Sequence, residues 1–64
     1  MVKINGEAVP ADGKSLAEYL AEVGYTRERV AVELNGDIVP KALYEETMLS
    51  AGDEVEIVAF VGGG

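Results

Sequence analysis

The sequence offers chemistry in few places. It has no cysteine and no histidine, which excludes thiolate nucleophiles, thiolate and imidazole metal sites, disulfides, and an acid or base poised near neutral pH. The pairs Glu45-Glu46 and Glu54/Glu56 have the residue type for a carboxylate dyad or a cation site. Adjacent and alternating glutamates on turns and strand faces read instead as solvated charge, and Glu54 and Glu56 as charge facing a partner. What remains is the run Gly62-Gly63-Gly64 at the end of "VEIVAFVGGG".

Glycine adds no side chain to a core and loses the most conformational freedom on ordering, so stability does not account for this run. An extended peptide without Cβ atoms can instead reach down a channel that no side chain would enter. Its working atom is the carboxylate of Gly64. With a reference pKa of about 3.5 that group is ionised at neutral pH and is a poor electrophile. Conversion to a mixed anhydride with AMP, by a partner that uses ATP, activates it, and a sulfur or amine nucleophile then displaces AMP. The competing reading makes the glycines a linker. Their place directly after an apolar strand favours the arm.

Length and charge narrow the setting. Sixty-four residues amount to one domain, 1–64, near the lower limit for a core without staples. Twelve acidic against five basic side chains give a net charge of −7; this argues against nucleic acid and anionic membrane and for a partner with a basic patch. Neither a basic-then-apolar leader nor a membrane-length apolar run is present, so the expected location is the cytoplasm.

The elements that would carry the arm follow from local pattern. Val2 and Ile4 alternate with Lys3 before Asn5-Gly6, a hairpin signal, and Glu7-Ala8-Val9 return. Ser15 and Glu18 have the spacing of a capping box, Leu16, Tyr19, Leu20 and Val23 recur at helical period, and Gly24 supplies the C-terminal cap: a helix from Leu16 to Val23. Val30, Val32 and Leu34 form a strand that turns at Asn35-Gly36-Asp37 into the pair Ile38-Val39, stopped by Pro40. "KALYEETML" holds one helical or 3₁₀ turn, and Ser50 to Asp53 turn into the last strand, "EVEIVAF". The order β-β-α-β-β-β is that of an α+β, β-grasp domain: a mixed sheet with one main helix, followed by a flexible glycine tail over 61–64.

The core is expected to contain Val2, Ile4, Leu16, Leu20, Val32, Leu34, Val55 and Ile57. In the last strand, period 2 puts Val55, Ile57 and Ala59 on the core side and Glu54, Glu56, Val58 and Phe60 on the other. One helix cannot cover both faces. Val58 and Phe60 are therefore expected to remain exposed beside the tail as a docking surface.

Taken together, "VAVELNGDIVPK", "LSAGDEVEIV" and the Gly-Gly terminus resemble the ThiS family, the ubiquitin-like sulfur carrier proteins of thiamine biosynthesis, over essentially the whole chain. The resemblance implies that an E1-like enzyme adenylates the terminal glycine, that the product becomes a thiocarboxylate, and that thiazole synthase receives the sulfur. Carried over to this sequence, Gly64 bears the sulfur and Gly63 precedes it. The chain itself would bind no cofactor and catalyse nothing, the ATP being used by its partner. It departs from the family pattern at Lys41, where Arg is frequent, at Tyr44, where Trp is common, and in having Gly62 as a third glycine. The molybdopterin synthase small subunit shares the fold, tail and chemistry but carries more helical material before the last strand; another ubiquitin-like sulfur carrier is also open. A β-grasp interaction module without tail chemistry is the alternative of a different class.

Overall fold

The computed structural model describes residues 1–60; the tail expected over 61–64, including Gly62, Gly63 and Gly64, lies outside them. Six elements follow in the expected order: β1 (Val2–Ile4), β2 (Glu7–Val9), α1 (Leu16–Val23), β3 (Val30–Leu34), β4 (Asp37–Ile38) and β5 (Glu54–Ala59). Short 3₁₀ turns at Arg27–Arg29 and Lys41–Leu43 fill two connections. Among the described residues no helix is long and apolar enough to cross a membrane.

Both hairpins are made by Asn-Gly. Asn5 and Gly6 have φ of 49° and 84°, and Asn35 and Gly36 have 52° and 89°. Two successive positive φ values are what a two-residue hairpin turn needs to match strand twist, and Asn and Gly adopt them most readily. The second turn is one residue shorter than expected. Asp37 pairs with Leu34 as the first residue of β4, and Val39, expected in that strand, lies beyond its end.

The helix is bounded as its sequence dictates. Glu18 N–H donates to Ser15 Oγ at 3.1 Å, and Ser15 N–H donates to Glu18 Oε1 at 3.0 Å. Gly24, in the left-handed region at φ 88°, closes the other end by donating its N–H to Ala21 and Leu20 carbonyls. Two more N-terminal amides find carbonyls of a distant segment: Leu16 N–H on Thr47 O at 2.8 Å and Ala17 N–H on Tyr44 O at 3.0 Å. The irregular stretch after β4 thus satisfies donors that a helix start always leaves open.

The sheet order is β2-β1-β5-β3-β4, parallel between β1 and β5 and antiparallel elsewhere. β5, last in sequence, therefore lies at the centre. Val2, Ile4, Leu16, Leu20, Val32, Val55 and Ile57 are buried as expected, joined by Ala11, Val30, Tyr44 and Leu49.

Two apolar positions expected on the core side, Leu34 and Ala59, are not fully buried, and Val23, last of the helical-period residues, stands with them. Leu34 is only partly buried, packing at the margin of the cluster, while Ala59 and Val23 are exposed. Period fixes which face a side chain takes but not how far along a strand or helix the covering layer reaches, and all three stand at element ends.

Candidate functional site

The alternation of β5 divides its side chains cleanly. Val55 and Ile57 are buried, whereas Glu54, Glu56 and Val58 point to the opposite face and are exposed. Phe60, just past the strand, continues the ladder by donating its N–H to Arg29 O at 2.7 Å. Val58 and Phe60 are 58% and 52% exposed. The expected exposure of these two residues is thus present.

Register assembles the rest of this outer face, because residues directly opposite in a sheet share a side. Ala31 lies opposite Val58, Glu33 opposite Glu56, Ile38 opposite Glu33, and Lys3 opposite Glu54. Ile38, with 76% of its surface exposed, extends the apolar ground of Val58 and Phe60 to the far edge. Alternation in β3 already turns Ala31 and Glu33 outward; sequence reasoning missed their part because it lacked the register that sets them beside β5.

Between the apolar residues lies an acidic groove. An open depression of about 420 Å³ is lined by Glu33, Asn35, Gly36, Glu54 and Glu56. Like charges directly opposite each other, as Glu33 and Glu56 are, destabilise a sheet. The ion pairs found among the described residues engage none of these three glutamates. Nor, among the described residues, does any cluster of acidic side chains have the arrangement to hold a metal ion. Chemically the face can bind a surface that brings apolar groups and positive charge.

Of the other glutamate pair, Glu45 belongs to the architecture, while Glu46 is exposed. Arg27 forms a two-pronged ion pair with Glu45, one contact being Nη2 to Oε1 at 3.0 Å, and donates to the Lys41 carbonyl. Its guanidinium carbon lies 5.3 Å from the centre of the Tyr44 ring. Hydrogen bonding to Arg27 holds the Glu45 carboxyl below its usual range, and burial pushes the Tyr44 hydroxyl above its own. Lys41 Nζ donates to Val30 O at 2.8 Å. Lys41 and Tyr44, two of the positions that depart from the family pattern, therefore fasten the segment after β4 to the body of the domain.

Comparison with known proteins places the whole sequence. The sequence model of the ThiS family matches residues 1–64. The chain is 42% identical over 64 residues to the sulfur carrier protein ThiS of Thermus thermophilus, covering all of both. It is 45% identical over 62 residues to a thiazole synthase of Paramagnetospirillum magneticum, covering 95% of this chain but only 19% of that protein. Among solved structures, the crystal structure of thiamine biosynthesis protein ThiS from Geobacter metallireducens superposes with a TM-score of 0.77 at 31% identity, covering 98% of this chain and 97% of the other.

Proposed function

The chain belongs to the ThiS family, the sulfur carriers of thiamine biosynthesis, and from that premise we propose that its Gly64 carboxyl is the group that carries the sulfur. An E1-like partner adenylates Gly64, a sulfur nucleophile displaces AMP, and the resulting thiocarboxylate gives its sulfur to thiazole synthase. The observation that carries this reading is the end-to-end similarity to a ThiS protein, with 42% of 64 residues identical. Support for the acceptor comes from the Paramagnetospirillum thiazole synthase, a fifth of which resembles this chain. Carrier and acceptor joined in one polypeptide is an arrangement expected of groups that must meet repeatedly.

The chain's own contribution is presentation. The outer face of the sheet docks, with Val58 and Phe60 as apolar anchors and Glu54 and Glu56 as charges for a basic partner surface, while Gly62 and Gly63 let the last carboxyl enter a narrow site. The chain acts as co-substrate, and the catalytic groups are the partner's.

Intact-mass measurement tests the chemistry. Incubation with the cognate adenylating enzyme, ATP, a persulfide donor and a thiol that reduces the acyl disulfide first formed should add the mass difference between one sulfur and one oxygen, located at Gly64 by fragmentation. Deleting Gly64 should abolish the gain. No gain in the unaltered protein, or a gain that survives the deletion, overturns the proposal.

A further inference from the structure

β5 has a complete strand partner on one side only. On the β3 side its hydrogen-bonded pairs fall at even-numbered residues, since Asn35 N–H donates to Glu54 O and Phe60 N–H to Arg29 O, each at 2.7 Å. In an antiparallel ladder the alternate residues turn their backbone groups the other way, so Val55, Ile57 and Ala59 direct theirs toward β1. β1 is too short to meet them all. It pairs at Lys3 with Glu54 and at Ile4 with Val55, then ends in the Asn5-Gly6 turn, where Asn5 N–H donates to Val55 O at 2.9 Å.

Ile57 would be left with two unpaired backbone groups. The Asn5 side chain takes both: Ile57 N–H donates to Asn5 Oδ1 at 2.8 Å, and Asn5 Nδ2 donates to Ile57 O at 3.2 Å. A carboxamide presents an acceptor oxygen and a donor NH2 group side by side, as a peptide backbone presents C=O and N–H. Asn5 thus stands in for the next residue of a strand that has already turned away. At the start of β5 the other turn does something similar, with Glu54 N–H donating to Asn35 Oδ1 at 2.9 Å and Asn35 Nδ2 donating to Asp53 Oδ1 at 3.1 Å. The two Asn-Gly turns grip one strand, Asn35 at its beginning and Asn5 toward the end that leads on to Gly64.

We infer that Asn5 is a positioning residue for the reaction at Gly64. Resting on the reading of Gly64 as the sulfur-bearing end, its part is to pin Ile57. That fixes the line of the strand between the docked residues Val58 and Phe60 and the sheet behind them. With the face held by a partner, a strand that pivots at Ile57 shifts whatever follows it, and a misplacement of about 1 Å at a reacting group costs on the order of a hundredfold in rate.

Asn5→Gly removes the carboxamide while keeping a residue that accepts φ of 49°, so the turn is preserved; Ser15→Ala, which removes the side-chain cap of α1 and touches no part of the outer face, is the control for a general loss of stability. In Asn5→Gly, exchange of the Ile57 amide should accelerate about tenfold or more relative to β3 amides, and in Ser15→Ala it should not. Sulfur loading should fall about tenfold in kcat for Asn5→Gly with KM within about twofold of the unaltered protein, and stay near the unaltered rate for Ser15→Ala. Loading of Asn5→Gly at full kcat, or an equal loss in Ser15→Ala, overturns the inference. Should the unaltered protein not load at all, it is the reading of Gly64 that fails. The Ile57 exchange then decides the clamp, an unchanged rate in Asn5→Gly contradicting it.

Discussion

On the inner face of β5, Val55 and Ile57 are 2% and 6% exposed and belong to one cluster with Leu16 and Leu20 of α1. On the outer face of the same strand, Val58 keeps more than half its surface in water, as does Phe60 just beyond, and Glu56 faces Glu33. The inner arrangement is what burial of apolar area dictates. The outer one buries little apolar area and, in its opposed Glu33 and Glu56, works against folding. A short chain with little stability to spare that keeps an unfavourable surface points to a selection acting through a partner, and the outer face is the side left free for one.

Truncating the inner face should have the largest effect. Leu20→Ala should lose about 2 to 5 kcal/mol, most of the stability of so small a domain, as read from urea or thermal unfolding. Phe60→Asp should change stability by no more than about 0.5 kcal/mol. Comparable losses in the two variants would break the contrast between the faces.

The second effect belongs to the outer face alone. Phe60→Asp should weaken binding to the adenylating enzyme by about 2 kcal/mol or more, roughly thirtyfold in Kd, by titration calorimetry. Unchanged affinity in the folded variant would take Phe60 out of the interface.

Glu56→Gln sharpens the comparison because its two consequences have opposite signs. Relieving the repulsion from Glu33 should stabilise the fold by about 0.2 to 1 kcal/mol, while binding to the partner weakens and its dependence on salt becomes shallower. A variant that is both less stable and equally well bound would contradict the role assigned to this charge.

The smallest effect lies with the Arg27–Glu45 pair at the surface, whose side chains belong to neither face of β5. Arg27 lowers the Glu45 carboxyl from its ordinary value of 4.5, so the stabilisation is full above that value and is lost as pH falls through the lower folded one. Both groups are solvent-accessible, and screening keeps the contribution small. Unfolding curves taken between neutral and acid pH should show slightly less acid sensitivity in Glu45→Gln. Greater sensitivity would reverse the sign.

What the sequence made legible is what local chemistry specifies. The Asn-Gly turns, the Ser15/Glu18 box and the Gly24 cap each involve residues close together in the chain, and each formed as its type requires. Alternation placed Val58 and Phe60 outside because period 2 is a local property. Tyr44 and Leu49 escaped notice because their segment has no period; they are buried through contacts with residues far away, including the backbone bond from Leu49 N–H to Lys14 O at 2.8 Å. The clamp of Asn5 on Ile57 was hidden for the same reason. Fifty-two positions separate the two residues, and only sheet order brings them together.

Methyl cross-saturation separates the two faces most directly, since irradiating an unlabelled partner attenuates only those methyl groups of a labelled chain that touch it. In the complex with the adenylating enzyme, the Val58 methyls should lose intensity while those of Val55 and Ile57, neighbours on the same strand, should not. Equal attenuation of all three, or attenuation that spares Val58 and falls instead on Val23 of the exposed helix end, would contradict the claim that one face of this sheet holds the fold and the other meets the partner.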